Sequence, residues 1–79
     1  MWEEKEKQLT RTFELDNFKA AIAFINSIAI VAESMNHHPD IALKNYRFVE
    51  VSSTTHEKGS LTPLDHELAK KIDHLFDEI

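Results

Sequence analysis

The chain has 79 residues, no cysteine, a single glycine and a formal net charge of −5. That length allows one domain with a small core, and the absence of thiols excludes disulfides and every cysteine-based metal pattern. The acidic balance, with lysines and arginines scattered rather than clustered, argues against a nucleic-acid partner.

The N-terminal run Met1-Trp2-Glu3-Glu4-Lys5-Glu6-Lys7 is charged and has no apolar segment of the secretory type behind it. The most apolar stretch, Ala20 to Ala32, is interrupted by Asn26-Ser27. It is also shorter than the roughly 20 residues of a membrane span. A soluble, cytoplasmic protein without a membrane partner is the expectation. Small cores that lack disulfides or metals often borrow stability from a second subunit, so association is expected too.

Residues 1–15 read as a β-hairpin. Leu9, Arg11, Phe13 and Leu15 alternate with Thr10, Thr12 and Glu14, a period of two. Trp2 falls on the preceding strand, whose charged neighbours suit a sheet edge, and the turn lies near Lys5-Glu6-Lys7. Asp16 is the predicted N-cap of a helix that runs to about Asn36. Phe18, Ala21, Ile22, Ile25, Ile28, Ala29 and Ala32 form one apolar face, which Phe24, Val31 and Met35 widen. A helix this apolar buries more than one side, against the sheet and against either a second helix or a second subunit. Pro39 cannot continue the helix.

Residues 41–55 read as a second hairpin. Ile41-Ala42-Leu43 is the short strand and Lys44-Asn45 the turn. Tyr46 to Thr55 is the longer strand, with Val49 and Val51 on one face and Tyr46 and Phe48 on the other. The loop Glu57-Lys58-Gly59-Ser60 holds the only glycine. The last helix has Thr62 as N-cap, Pro63 at its first position and Asp65 at the capping-box position. Leu64, Leu68, Ile72, Leu75 and Phe76 then recur at helical spacing, and His66 and His74 fall on the polar face. The order β-β-α-β-β-α predicts an α+β fold of two layers, a four-stranded antiparallel sheet with both helices on one face.

The chemistry concentrates where the first helix stops. His37 and His38 follow its last turn, and His56 follows the long strand. The helix C-terminus favours imidazolium at His37, and Glu33, four residues earlier, is predicted on the same face with the same effect. Histidine already titrates near neutrality, which makes His37 a candidate to give and take protons. His38 points elsewhere. Three histidines and a carboxylate are also a zinc-ligand set, but adjacent histidines do not reproduce the one-turn spacing of helical zinc motifs. No metal is therefore expected. Asp65 is read as a helix cap, and Met35, Tyr46 and Phe48 as packing residues.

Two separated motifs carry a resemblance. The first is Glu33-x-x-x-His37-His38-Pro39-Asp40. The second is Tyr46-x-x-Val49-x-Val51 followed by Thr55-His56-Glu57-x-Gly59-x-Leu61-Thr62-x-x-Asp65-x-x-Leu68-Ala69. Together they resemble the pterin-4a-carbinolamine dehydratases, over nearly the whole chain, which is then a single domain of that type at residues 1–79. Members often carry an aromatic residue where Ile41 stands and a second glycine where Ser60 stands.

The resemblance implies the same element order and the dehydration of a 4a-hydroxytetrahydropterin to the quinonoid dihydropterin, a step in pterin recycling. It implies His37 and His56 as the acid–base pair, and His38, Glu33, Pro39, Asp40 and Thr55 around the substrate. It implies no cofactor, and a homodimer or homotetramer. A non-catalytic interaction module on the same fold is the alternative reading. The presence of all three histidines favours the enzyme.

Overall fold

Two hairpins, each followed by a helix, make up the computed structural model, which describes residues 1–79. The elements are β1 (Glu3–Lys5), β2 (Gln8–Glu14), α1 (Phe18–Met35), β3 (Asp40–Lys44), β4 (Phe48–Ser53) and α2 (Pro63–Asp77). The sheet order is β1-β2-β4-β3, with every pairing antiparallel. The expected architecture is therefore the observed one. The two central strands come from different hairpins, and their pairing runs from Leu9 opposite Ser53 to Glu14 opposite Phe48.

Both hairpin turns use left-handed residues without glycine: Glu6 and Lys7 in the first, Asn45 and Tyr46 in the second. Paired left-handed residues match the twist of the flanking strands, which is why this turn works here despite its side chains. The second turn corrects the sequence reading, because Tyr46 lies in the turn and is exposed, not in the strand.

The core is the helix-facing side of the sheet with the helix faces above it. Phe13, Leu15, Val49 and Val51 meet Ala21, Phe24 and Ile28 of α1 and Leu68 and Ile72 of α2. Phe13, Phe24 and Phe76 stack edge to face or tilted, with centroids 5.0–5.7 Å apart. Arg11 covers this cluster, its guanidinium 4.3 Å from the Phe13 ring centre and 2.7 Å from Asp73. Trp2 donates to the same Asp73 oxygen at 2.7 Å. The sheet edge is thereby tied to α2.

Helix α1 begins one residue later than expected. Asn17, not Asp16, is the N-cap; its backbone is extended and its Oδ1 accepts from the Ala20 amide at 2.8 Å. Asn17→Ala is expected to cost about 1 kcal/mol, read as a shift of the urea midpoint at unchanged slope. By length and composition α1 would suffice to cross a membrane, with 18 residues and mean hydropathy 1.5. In this fold the same composition serves the core through Ala21, Phe24, Ile28 and Ala32. Phe18, Ile22 and Ile30 point outward, so the apolar face is broader than the chain itself covers.

Candidate active site

The end of α1 sets the site. Asn36 is left-handed (φ 50°) and closes the helix: its amide and that of His37 donate back to Glu33 and Ala32. This reversal turns His37 inward and sends the chain on through Pro39. His37 is buried, while His38 stays exposed. The expected pairing of Glu33 with His37 is not the one found. Glu33 Oε2 lies 2.6 Å from His38 Nε2, because the left-handed residue ends the helical register before His37.

The partner of His37 is Asp65, which the sequence reading assigned only to the cap of α2. It does cap: Thr62 and Asp65 form a capping box, the Thr62 amide donating to Asp65 Oδ2 at 2.9 Å. It also holds His37 Nε2 at 2.7 Å on Oδ1. Ser53 donates to the same Oδ1 at 2.6 Å and Thr55 donates to Oδ2 at 2.7 Å. Asp65 is completely buried. Burial alone pushes its carboxyl up, but hydrogen bonds from Ser53, His37, the Thr62 amide and Thr55 outweigh it and bring it down to about 2. Asp65 is thus a carboxylate with all four of its acceptor positions filled.

Ser53 and Thr62 were not anticipated as part of this cluster. A signal was present: the inward row of the long strand runs Val49, Val51, Ser53, Thr55, all buried. Two apolar residues give way to two hydroxyls where a buried polar partner has to be met. The hydroxyl chain has a direction. The Leu64 amide donates to Thr62 Oγ1, which stands 2.7 Å from Thr55 Oγ1. Since Thr55 spends its proton on Asp65, Thr62 donates to Thr55, and every proton in the cluster points towards Asp65.

His37 forms part of a polar cleft of about 330 Å³. His38, Pro39, Asp40, Thr55 and His56 also line it, together with Asn36, Thr54 and Glu57. Of the residues singled out from the sequence, only Glu33 stands off the cleft wall, reaching it through His38. The second half of the site is brought alongside as expected, since β3 and β4 pair with Asp40 opposite Ser52. His56 sits on a short loop closed by a bridge between Thr55 and Ser60. Gly59 is left-handed there (φ 64°) and its amide donates to Thr55 O at 2.9 Å, a turn that L-residues strain to make. A second depression, lined by Ala20, Ala23, Phe24, Ser27, Leu75 and Ile79, holds no titratable side chain and offers nothing for proton transfer.

A family model described as pterin 4 alpha carbinolamine dehydratase matches residues 1–75. The chain belongs to that family. Two relatives carry the dehydratase's name. One, from Sulfurisphaera tokodaii, is 47% identical over 74 residues, which is 94% of this chain and 78% of its own. The other, from Chloroflexus aurantiacus, is 45% identical over the same shares. Among solved structures, a transcriptional coactivator/pterin dehydratase from Brucella melitensis superposes with a TM-score of 0.86 at 30% identity, over 94% of this chain and 80% of that one. A pterin dehydratase-like protein identified as a RuBisCO assembly factor in the alpha-carboxysome shares the fold, with a TM-score of 0.75 at 18% identity over 95% and 86%. The pterin dehydratase family is a family of dehydratases, and the element order found here is that of its structural relatives.

Proposed function

We propose that this chain dehydrates a 4a-hydroxytetrahydropterin to the quinonoid dihydropterin by histidine acid–base catalysis, as one domain spanning residues 1–79. The observation that carries the reading is the convergence of His37, His38 and His56 on one polar cleft, with a buried carboxylate behind His37. The reaction breaks the C4a–O bond and removes the N5 proton, forming C4a=N5 and releasing water. The departing oxygen needs a proton and N5 must lose one. One general acid and one general base can do both, and an imidazole can serve as either. His37 and His56 take these roles, and His38, steadied by Glu33, binds the substrate with Asp40, Thr55 and the Pro39 backbone. The chemistry needs no metal or redox group.

The decisive test follows the dehydration of a 4a-hydroxytetrahydropterin generated in situ, with and without the protein. A rate increase proportional to enzyme and indifferent to chelators is expected. An unaccelerated reaction removes the enzyme reading.

We propose that the chain associates with itself through the outward side of α1, where Phe18 is 54% and Ile30 is 72% exposed. Light scattering behind size exclusion should give a dimer or tetramer, and Ile30→Glu should shift it towards monomer. The same exposed residues favour the second reading, an interaction module on this fold. That reading gains if the dehydration is not accelerated.

A further inference from the structure

We infer that Asp65 is a positioning residue that fixes the tautomer of His37, so that Nδ1 is the nitrogen that exchanges a proton with the substrate. The inference rests on the dehydratase reading for its consequence, but the tautomer itself does not.

A contact of 2.7 Å between His37 Nε2 and Asp65 Oδ1 requires a proton between them. Asp65 does not supply it, because its carboxyl is held as the anion. Ser53 does not supply it either: its proton goes to Oδ1 at 2.6 Å, and its oxygen stands 3.5 Å from Nε2. The proton is the ring's own, so neutral His37 carries Nε2–H and leaves a lone pair on Nδ1. No group of the chain bonds Nδ1. The one side-chain polar atom buried without a partner is Arg11 Nε, so Nδ1 keeps some exposure, and His37 is one of the residues that line the cleft. In the cationic ring the transferable proton is then on Nδ1.

The donors around Asp65 make the lock specific. The hydroxyls of Ser53 and Thr55 can reverse and accept, but the Thr62 amide can only donate. In Asp65→Asn the amide oxygen must therefore face Thr62, at the Oδ2 position. The NH2 group then faces Ser53 and His37 at the Oδ1 position. His37 Nε2 has to become an acceptor, and the ring proton moves to Nδ1, where it occupies the lone pair that acts as base.

Ring-nitrogen correlation spectra of the 15N-histidine protein test this directly. Wild-type neutral His37 should show a pyridine-type Nδ1 and a pyrrole-type Nε2. Asp65→Asn should exchange the two, with kcat falling about 10²- to 10⁴-fold and KM changing far less. A wild-type ring with Nδ1 protonated overturns the inference, and needs no variant to be seen. Exchanged nitrogens with an unchanged kcat overturn the positioning role. If the wild type shows the stated tautomer but accelerates no dehydration, the dehydratase reading fails, and the positioning role for that reaction with it; the tautomer assignment alone stands.

Discussion

Asp65→Ala should lower the unfolding free energy by about 3–5 kcal/mol, because it strands several buried hydrogen-bonding groups that cost about 1–3 kcal/mol each when left unsatisfied. For a domain of 79 residues that is a large part of the whole, since such domains hold roughly 0.05–0.15 kcal/mol per residue. A fall in Tm of about 15–30 °C corresponds to it. The reason is the number of groups left behind. His37, Ser53, Thr55 and the Thr62 amide all lose their acceptor, and the first three are buried. The N-cap of α2 loses half its capping box as well.

Acid should reveal the same contribution in the intact protein. The native carboxyl titrates at about 2 against an ordinary 3.8, so stability rests on the ionised form. The folded state binds this proton less readily than the unfolded state does. The contribution, about 2 kcal/mol, is therefore complete above pH 3.8 and is lost as the pH falls through 2. Urea titrations from pH 5 to 2 should show this loss in the wild type and a shallower fall in Asp65→Ala. A variant that unfolds at the wild-type urea midpoint would refute the central place of Asp65. Asp73→Ala is the contrast: its ion pair with Arg11 is partly exposed and worth at most about 1 kcal/mol.

The fold was legible because its signals are local. Period-two runs, the apolar helix faces, Pro39 and the Thr62-Pro63 start each follow from neighbours in sequence. Where the reading slipped, two adjacent residues competed for one role. Asp16 and Asn17 both suit an N-cap, and only the backbone decides between them. Tyr46 has the side chain of a strand residue, but the three residues between Lys44 and Phe48 had to make the turn.

The cleft was legible only in part. The histidines announced themselves by type and by their place at element ends. Their partners did not. Glu33 at four residues before His37 obeys helical spacing, yet the left-handed Asn36 ends the helix first and hands Glu33 to His38. Asp65 lies 28 residues from His37 and had a sufficient local explanation as a cap, which concealed its second role. A residue that satisfies a local rule gives no sign of a tertiary bond. The only hint was the polar end of the inward row of β4.

His37→Ala and His56→Ala should each cost the dehydration rate about 10²- to 10⁴-fold in kcat, the usual worth of a positioned acid or base. His38→Ala should act differently, raising KM more than it lowers kcat, because His38 is assigned to binding. The three are separable because their surroundings differ. His37 is buried on a carboxylate and its loss changes stability too; His56 and His38 are exposed, so their alanine variants should unfold at nearly the wild-type urea concentration. A rate loss in His56→Ala at unchanged stability is thus the cleanest measure of acid–base participation. The double variant adds the last constraint. If His37 and His56 move protons in one step, losing the second after the first should cost much less than losing it alone, since groups that act as a unit are strongly non-additive. Strictly multiplicative losses would instead place the two histidines in separate steps. Wild-type rates in both single variants would mean that the cleft works through other residues.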